Sequence, residues 1–201
     1  DTETTSLDPR EAQLVGMSFC WSNEAAVYVP IGHADGPNCP GALEAIGPVL
    51  ADPTVHKIGQ NLKYDLAVLR TAGLELNGIV GDTMLRDYLI DVDRKHGLDD
   101  LARRYLDHTN VSYTRLMADI DGDFSRVSVE QATRYAAEDA HVVWLLEQEM
   151  PMRGEVAEVY ANIEVPLVPV LEDMERAGIG VDCDALQTLG VELGERVEAA
   201  R

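Results

Sequence analysis

Four carboxylates and one phenol stand at spacings that could carry out hydrolysis. Asp1-Thr2-Glu3 places two carboxylates at i and i+2, which a strand presents on a single face. Asp65 closes the stretch Gly59-Gln60-Asn61-Leu62-Lys63-Tyr64-Asp65, at the front of a helix that follows a strand. Tyr135 and Asp139 are four residues apart, stacked on one side of a helix. Each pair alone is a weak signal in a chain with 36 acidic residues; together they are a strong one. Carboxylates that converge repel one another, and such a cluster persists when divalent cations neutralise it. Oxygen-only ligation suits Mg²⁺ or Mn²⁺, which bind through few carboxylates plus substrate phosphate. Two such ions about 4 Å apart activate a water and stabilise the leaving oxygen of a phosphodiester. The implied chemistry is metal-dependent phosphodiester hydrolysis.

The elements that must position these groups begin with strands. Residues 12–21 and 24–31 are apolar segments separated by the turn signal Ser22-Asn23, and residues 1–4 look like the end of a strand whose earlier residues lie upstream. A loop at 37–40 and a helical spacing over 41–50, weakened by Pro48, come next. A short strand over 55–60 runs into a helix over 63–72 ended by Gly73. A strand near 79–80 precedes a helix over 83–90 that Asp82 can cap, and another helix spans 98–106. Ser128-x-x-Gln131 is a capping box, and residues 129–150 carry Ala132, Ala136, Ala140, Val143 and Leu146 at helical intervals. Strands first, then strand and helix in alternation, predict an α/β domain with a mixed sheet flanked by helices.

After about residue 156 the pattern changes. A long helical stretch over 156–176 carries Pro166 and Pro169, which should kink it. A turn at 177–180 leads to a second amphipathic helix over 184–201. These residues offer no sheet and little core, which divides the chain into a domain over 1–155 and the start of another over 156–201. Trp21 and Trp144 are expected in the core, and the five histidines show no ligand spacing.

Composition narrows the function. The chain has 201 residues, 46% of them hydrophobic, and a formal charge of −20, which argues against coating nucleic acid through a general basic surface. Residues 57–134 nevertheless hold 11 of the 16 basic side chains against 13 acidic ones, so the centre can offer phosphates a local groove. No apolar run approaches the ~20 residues of a spanning helix, which leaves no membrane partner, and no secretion signal opens the chain. Three widely spaced cysteines argue against a disulfide framework or a thiolate zinc site and fit a reducing cytoplasm. The first residue is Asp rather than Met, as expected of an excised or processed fragment.

The ordered motifs DTETTSLD, GQNLKYD, GDTML and RYAAEDA resemble the 3′–5′ exonuclease domain of bacterial family A DNA polymerase I. Residues 162–182 resemble the segment by which those enzymes enter their polymerase domain. The resemblance implies a ribonuclease H-like fold of the branch with a tyrosine in its last motif. It makes Asp1, Glu3, Asp65 and Asp139 the acids that hold two divalent cations. One ion would sit on Asp1, Glu3 and Asp139, and the other on Asp1, with Asp65 acting partly through water. Tyr135 would orient the attacking water. Leu7 matches an apolar wedge against the terminal bases, while Gln60, Asn61 and Tyr64 match residues near the strand end. Tyr113 falls where the family can stack an aromatic on a base, a contact that tolerates any sequence. Lys95 stands where the pattern can carry arginine, keeping the charge without the bidentate fork.

The implied activity is removal of nucleotides from a single-stranded or frayed 3′ end of DNA. The rest of a polymerase would lie in cis, in a bacterial cytoplasm and associated with the nucleoid. An RNA-trimming nuclease resembling RNase D shares D-x-E and Y-x-x-x-D, but would continue into small helical RNA-binding domains instead of the pattern over 162–182. An inactive exonuclease fold kept as a platform would be expected to have lost acids that this chain retains.

Overall fold

The computed structural model describes residues 1–201. Three strands open it: β1 (Thr2–Thr4), β2 (Leu14–Ser22) and β3 (Ala25–Pro30) form an antiparallel sheet in that order. Glu3 lies opposite Gly16 and Thr2 opposite Met17. The ladder continues through Asp1, whose amino group donates to Ser18 O at 3.2 Å while the Ser18 N–H donates to Asp1 O at 3.0 Å. Gly16 is needed where it stands, because a Cβ there would come within 2.1 Å of the Tyr28 hydroxyl crossing from β3.

A second, parallel sheet pairs β4 (Lys57–Gly59) with β5 (Ile79–Asp82). The helix α2 (Leu62–Thr71) makes the crossover between them. The expected mixed α/β architecture is therefore present, with its sheet in two pieces. β1 is only three residues long, and no strand pairs with the other side of β4. A cavity of about 310 Å³ lined by Met17, Phe19, Ile58, Leu69, Val143 and Trp144 lies between the pieces.

The remaining helices are α1 (Ala42–Ala51), α3 (Thr83–Ile90), α4 (Leu98–Leu106), the single turn α5 (Tyr113–Leu116), α6 (Val129–Glu149), α7 (Gly154–Val159), α8 (Val165–Ala177) and α9 (Cys183–Ala199). The Ser128 cap forms as its motif predicts, with Oγ accepting the Gln131 N–H at 3.3 Å. Small residues let α6 approach the sheet closely: Ala132 and Ala136 are fully buried with Val15, Tyr28, Phe124 and Val127. On the other side, Leu62, Leu66 and Leu69 of α2 join Met17, Leu50, Leu76 and Val168.

Asp82 does more than its sequence position suggests. Its carboxylate accepts the Met84 and Leu85 N–H groups at 2.9 and 3.2 Å, capping α3. It also accepts the Leu62 and Asn61 N–H groups at 2.7 and 3.2 Å, capping α2. Asn61 turns the chain at φ 60 and gives α2 no side-chain cap of its own, so the cap comes from a residue 21 positions later. One buried carboxylate thus satisfies the orphan donors of two helices.

Pro166 and Pro169 both lie within α8, and the irregularity of the C-terminal stretch falls directly before the first of them. A π-helical turn, Tyr160–Glu164, joins α7 to α8, with the Val165 N–H reaching Tyr160 O. This widening comes directly before Pro166, which has no N–H to continue the ladder. The buried Tyr160 hydroxyl accepts the Asp82 N–H at 2.6 Å and stands 3.1 Å from Asp82 O. α8 rests on α2 through Val168 and through charge: Arg70 pairs with the buried Glu172 and, at 2.5 Å, with Asp173, and Lys63 meets Glu175 at 2.5 Å. Beyond it, α9 buries no residue.

The tryptophans also depart from expectation. Trp21 is 58% exposed, and half-buried Trp144 donates its Nε1–H to Asn23 Oδ1 at 2.7 Å. Both lie at the rim of the sheet, where an indole can bury one side and keep a polar handle near water. No helix is long and apolar enough to cross a membrane.

Candidate active site

The β1–β2 ladder turns Asp1 and Glu3 to one face, and α6 crosses that face with Asp139. Carboxylate oxygens of these three residues lie within 4.8 Å of one another. Glu3 and Asp139 are buried and Asp1 is exposed. Burial first, and the charge of Asp139 second, push the Glu3 carboxyl up to about 8, against some relief from the amino group of Asp1. Burial raises Asp139 to about 7, with the Glu138 and Asp99 charges adding to it while Tyr135 and Asn110 beside it pull it down. No lysine or arginine acts on either group. The cluster holds more negative charge than its surroundings neutralise, which is the condition for cation binding.

Asp65 is buried on the first turn of α2 but stands outside this set of three. Its Oδ1 accepts the Thr2 hydroxyl at 2.7 Å. Burial raises its carboxyl above the ordinary range, and the Asp1 amino group opposes the rise.

Tyr135 is half-buried, and burial together with the Asp139 charge raises its hydroxyl far above an ordinary phenol. It remains a neutral donor at any physiological pH. Its ring leans on Tyr113 and Phe124 at centroid distances of 6.1 and 5.9 Å. Tyr113 and Phe124 stack with 6° between their planes. These rings border a cleft of about 430 Å³ whose lining includes Asp1, Glu3, Leu7, Tyr64, Tyr113 and Tyr135.

The six residues expected to touch a strand divide into two groups. Leu7, Tyr64 and Tyr113 line the cleft. Leu7 is 94% exposed at its rim, on a loop that the Tyr64 hydroxyl holds by donating to Ser6 O at 2.5 Å and by meeting the Thr4 hydroxyl. Gln60, Asn61 and Lys95 lie outside the lining. The Gln60 amide is engaged inside the protein, accepting from the Thr83 hydroxyl and donating to His96 O at 2.8 Å. Asn61 and Lys95 are exposed, and the Lys95 carbonyl accepts from Arg104 at 3.0 Å.

Three supporting residues escape sequence reasoning. Thr2 and Asn110 donate to Asp65 and Asp139, the latter at 3.2 Å. Asp87 is fully buried and gathers Arg104 at 2.8 Å, Tyr105 at 2.7 Å and His96 at 2.6 Å. No spacing rule links Asn110 to Asp139 across 29 residues. The only advance sign is Thr2, which lies between two of the motif acids on β1.

An α/β body that gathers unneutralised carboxylates at an aromatic-lined cleft is the arrangement of a nuclease. The family can be stated: residues 1–154 match the 3′–5′ exonuclease family of A-type DNA polymerases, and the chain belongs to it. It is 40% identical over 217 residues to DNA polymerase I of Pseudomonas aeruginosa, a match that covers 99% of this chain. It is 37% identical over 206 residues to DNA polymerase I of Synechocystis, covering 98%. The chain spans only 23% and 21% of those two relatives. Among solved structures, a Pol1 complex from M. smegmatis with primer-template DNA and dNTP superposes with a TM-score of 0.78 at 24% identity, covering 99% of this chain and 32% of that one. Brucella melitensis NrnC bound to pGG superposes at 0.70 with 23% identity, covering 91% and 86%. The fold is ribonuclease H-like.

Proposed function

We propose that this chain is an editing exonuclease that hydrolyses DNA phosphodiesters from a single-stranded or frayed 3′ end as part of a DNA polymerase I. On this reading residues 1–155 are the exonuclease domain and 156–201 begin the polymerase domain that follows in cis. The observation that carries the proposal is the convergence of Asp1, Glu3 and Asp139 within 4.8 Å. The raised carboxyls of Glu3 and Asp139, with no lysine or arginine acting on them, fit a divalent cation, Mg²⁺ or Mn²⁺. A second cation would take Asp1 together with Asp65. Cations bound there would supply charge stabilisation of the scissile phosphate and a more acidic water.

The chain's own residues would do the rest. Tyr135, always protonated, donates a hydrogen bond that orients water beside Asp139. Leu7 would wedge against the last base, and Tyr113, backed by Phe124, offers it a face on which to stack. The Tyr64 hydroxyl keeps the Leu7 loop in place. Asn61 and Lys95, exposed at the start of α2 and on the loop before α4, would follow the strand further out. Gln60 would act by tying those two segments together.

The test is digestion of matched 5′-labelled single-stranded DNA and RNA with Mg²⁺ and with chelator, using the longer polymerase and this chain. Stepwise shortening of DNA from its 3′ end, lost with chelator, is the expected result. Faster shortening of RNA would favour the RNase D-like reading, and no shortening of either would favour an inactive platform.

A further inference from the structure

Residues 107–112 join α4 to α5 with no regular structure, yet two neighbouring acids of α6 hold them. Glu138 grips from outside: Oε2 accepts the Val111 N–H at 2.6 Å, and Oε1 meets His108 Nε2 at 2.9 Å. Asp139 grips from inside, its Oδ1 accepting the Asn110 Nδ2–H at 3.2 Å in a buried contact. Asp107 starts the segment with a left-handed turn at φ 50. Ser112 ends it, accepting the Arg115 N–H at 3.4 Å and so capping the turn that carries Tyr113. The segment is a strap with the acid cluster at its middle and the stacked aromatic at its end.

Asn110 is 8% exposed, and its Oδ1 is buried without a protein partner. A buried amide with one end unpaired is unfavourable compared with an apolar side chain of the same shape. Packing therefore does not account for an asparagine here, whereas a neutral donor facing Asp139 does. A donor without charge can fix the orientation of a ligating carboxylate while leaving its negative charge to the cation.

We propose that Asn110 is a positioning residue that aims Asp139 at Asp1 and Glu3, and that the 107–112 strap couples this aim to the placement of Tyr113. The inference rests on the metal-dependent reading given above. Its chemistry is that of an outer partner to a ligand, whose loss typically weakens metal affinity or activity by about 10–100-fold.

The experiment is calorimetric titration of Mn²⁺ into the unmodified protein, Asn110→Leu, Glu138→Ala and Glu138→Gln, with thermal unfolding of each without metal and exonuclease kinetics across Mn²⁺ concentration. Asn110→Leu should weaken Mn²⁺ binding by about 10–100-fold, with much of kcat recovered at saturating metal. Glu138→Ala frees the strap and also removes a charge acting on Asp139, whereas Glu138→Gln removes the same charge but keeps an acceptor for the Val111 N–H. Relative to Glu138→Gln, Glu138→Ala should weaken Mn²⁺ several-fold and raise KM for single-stranded DNA more than it lowers kcat. A purely structural asparagine would lower the unfolding temperature and leave Mn²⁺ affinity unmoved, and that result overturns the proposal. If Asn110→Leu does not fold, Glu138→Ala decides, and Mn²⁺ affinity and KM unchanged from Glu138→Gln overturn it equally. Failure of the unmodified protein to bind Mn²⁺ would overturn this inference together with the reading beneath it, whereas equal binding by all four would remove this inference alone.

Discussion

The protein treats two of its buried acidic centres in opposite ways. Around Asp87, burial raises the carboxyl, but hydrogen bonds from Arg104, His96 and Tyr105 outweigh it and hold the group below its ordinary range. Around Glu3 and Asp139 no arginine, lysine or histidine is supplied; the Tyr135 and Asn110 bonds to Asp139 do not outweigh burial, and the two carboxyls rise to about 8 and about 7. Asp87 is complete within the chain; the other centre is complete only with something added. Burial alone therefore says little about function. What distinguishes the two is whether the surrounding residues cancel the charge they enclose.

The contrast can be broken most sharply at the open centre. Asp139→Ala should reduce hydrolysis by about 10²–10³-fold, the scale of removing one electrostatic support of a transition state. Without metal, its unfolding temperature should be unchanged or raised, because repulsion on Glu3 is relieved. Wild-type cleavage by this variant with Mg²⁺ would sink the metal assignment. At the closed centre the penalty moves from activity to stability. Asp87→Ala removes one side of a buried ion pair and should cost roughly 3–5 kcal/mol in urea unfolding, with Mn²⁺ affinity unchanged in the fraction that folds. A loss below about 1 kcal/mol would mean that Arg104 and His96 find other partners.

The same comparison has a pH signature. Glu3 rises from 4.5 to about 8 in the folded chain, so between those values the folded state binds more protons than the unfolded one. Metal-free stability then falls as pH rises across that window, and Asp139, raised to about 7, adds to the slope in its lower part. A cation replaces those protons and should stabilise most at the upper end. Saturating Mg²⁺ at 100 times its Kd is expected to raise Tm by roughly 5–10 °C at pH 8 and hardly at all at pH 5. An equal rise at both values would show that Mg²⁺ binds elsewhere. The smallest expected effect concerns substrate form. Single strands should be cut several-fold faster than paired duplex, with mismatched ends between, since the charge of −20 leaves no broad basic face for a duplex.

Much of the open centre was legible in the sequence because its residues lie on regular elements with fixed periods. Asp1 and Glu3 share a strand face and Tyr135 and Asp139 a helix face, so spacing alone predicts their directions. Asp65 was placed correctly on α2, but its side chain turns to Thr2, a choice made by a tertiary hydrogen bond. The supports were not legible. Asn110 sits in a segment with no period, and its partner is fixed only once α6 packs across the sheet. Asp82 was visible as the cap of α3 and invisible as the cap of α2, because the second role depends on β4 and β5 lying side by side. The lost donors of Pro166 and Pro169 mark an irregularity in this stretch, but not that it takes the form of a π-helical turn placed before Pro166. Trp21, expected in the core, is 58% exposed, and Trp144 is only half-buried, because its indole N–H reaches Asn23 in the β2–β3 turn, a contact no local pattern announces.

Asp82 also dictates how this protein opens. Four amide protons, on Asn61, Leu62, Met84 and Leu85, end on one carboxylate, and the backbone of that residue is latched by a single hydroxyl from the C-terminal helices. These amides share one acceptor. Their hydrogen exchange should proceed as one event, with a shared opening free energy, and Tyr160→Phe should quicken all four together. The heads of α2 and α3 are a single lock, and its key lies on the π-helical turn that joins α7 to α8.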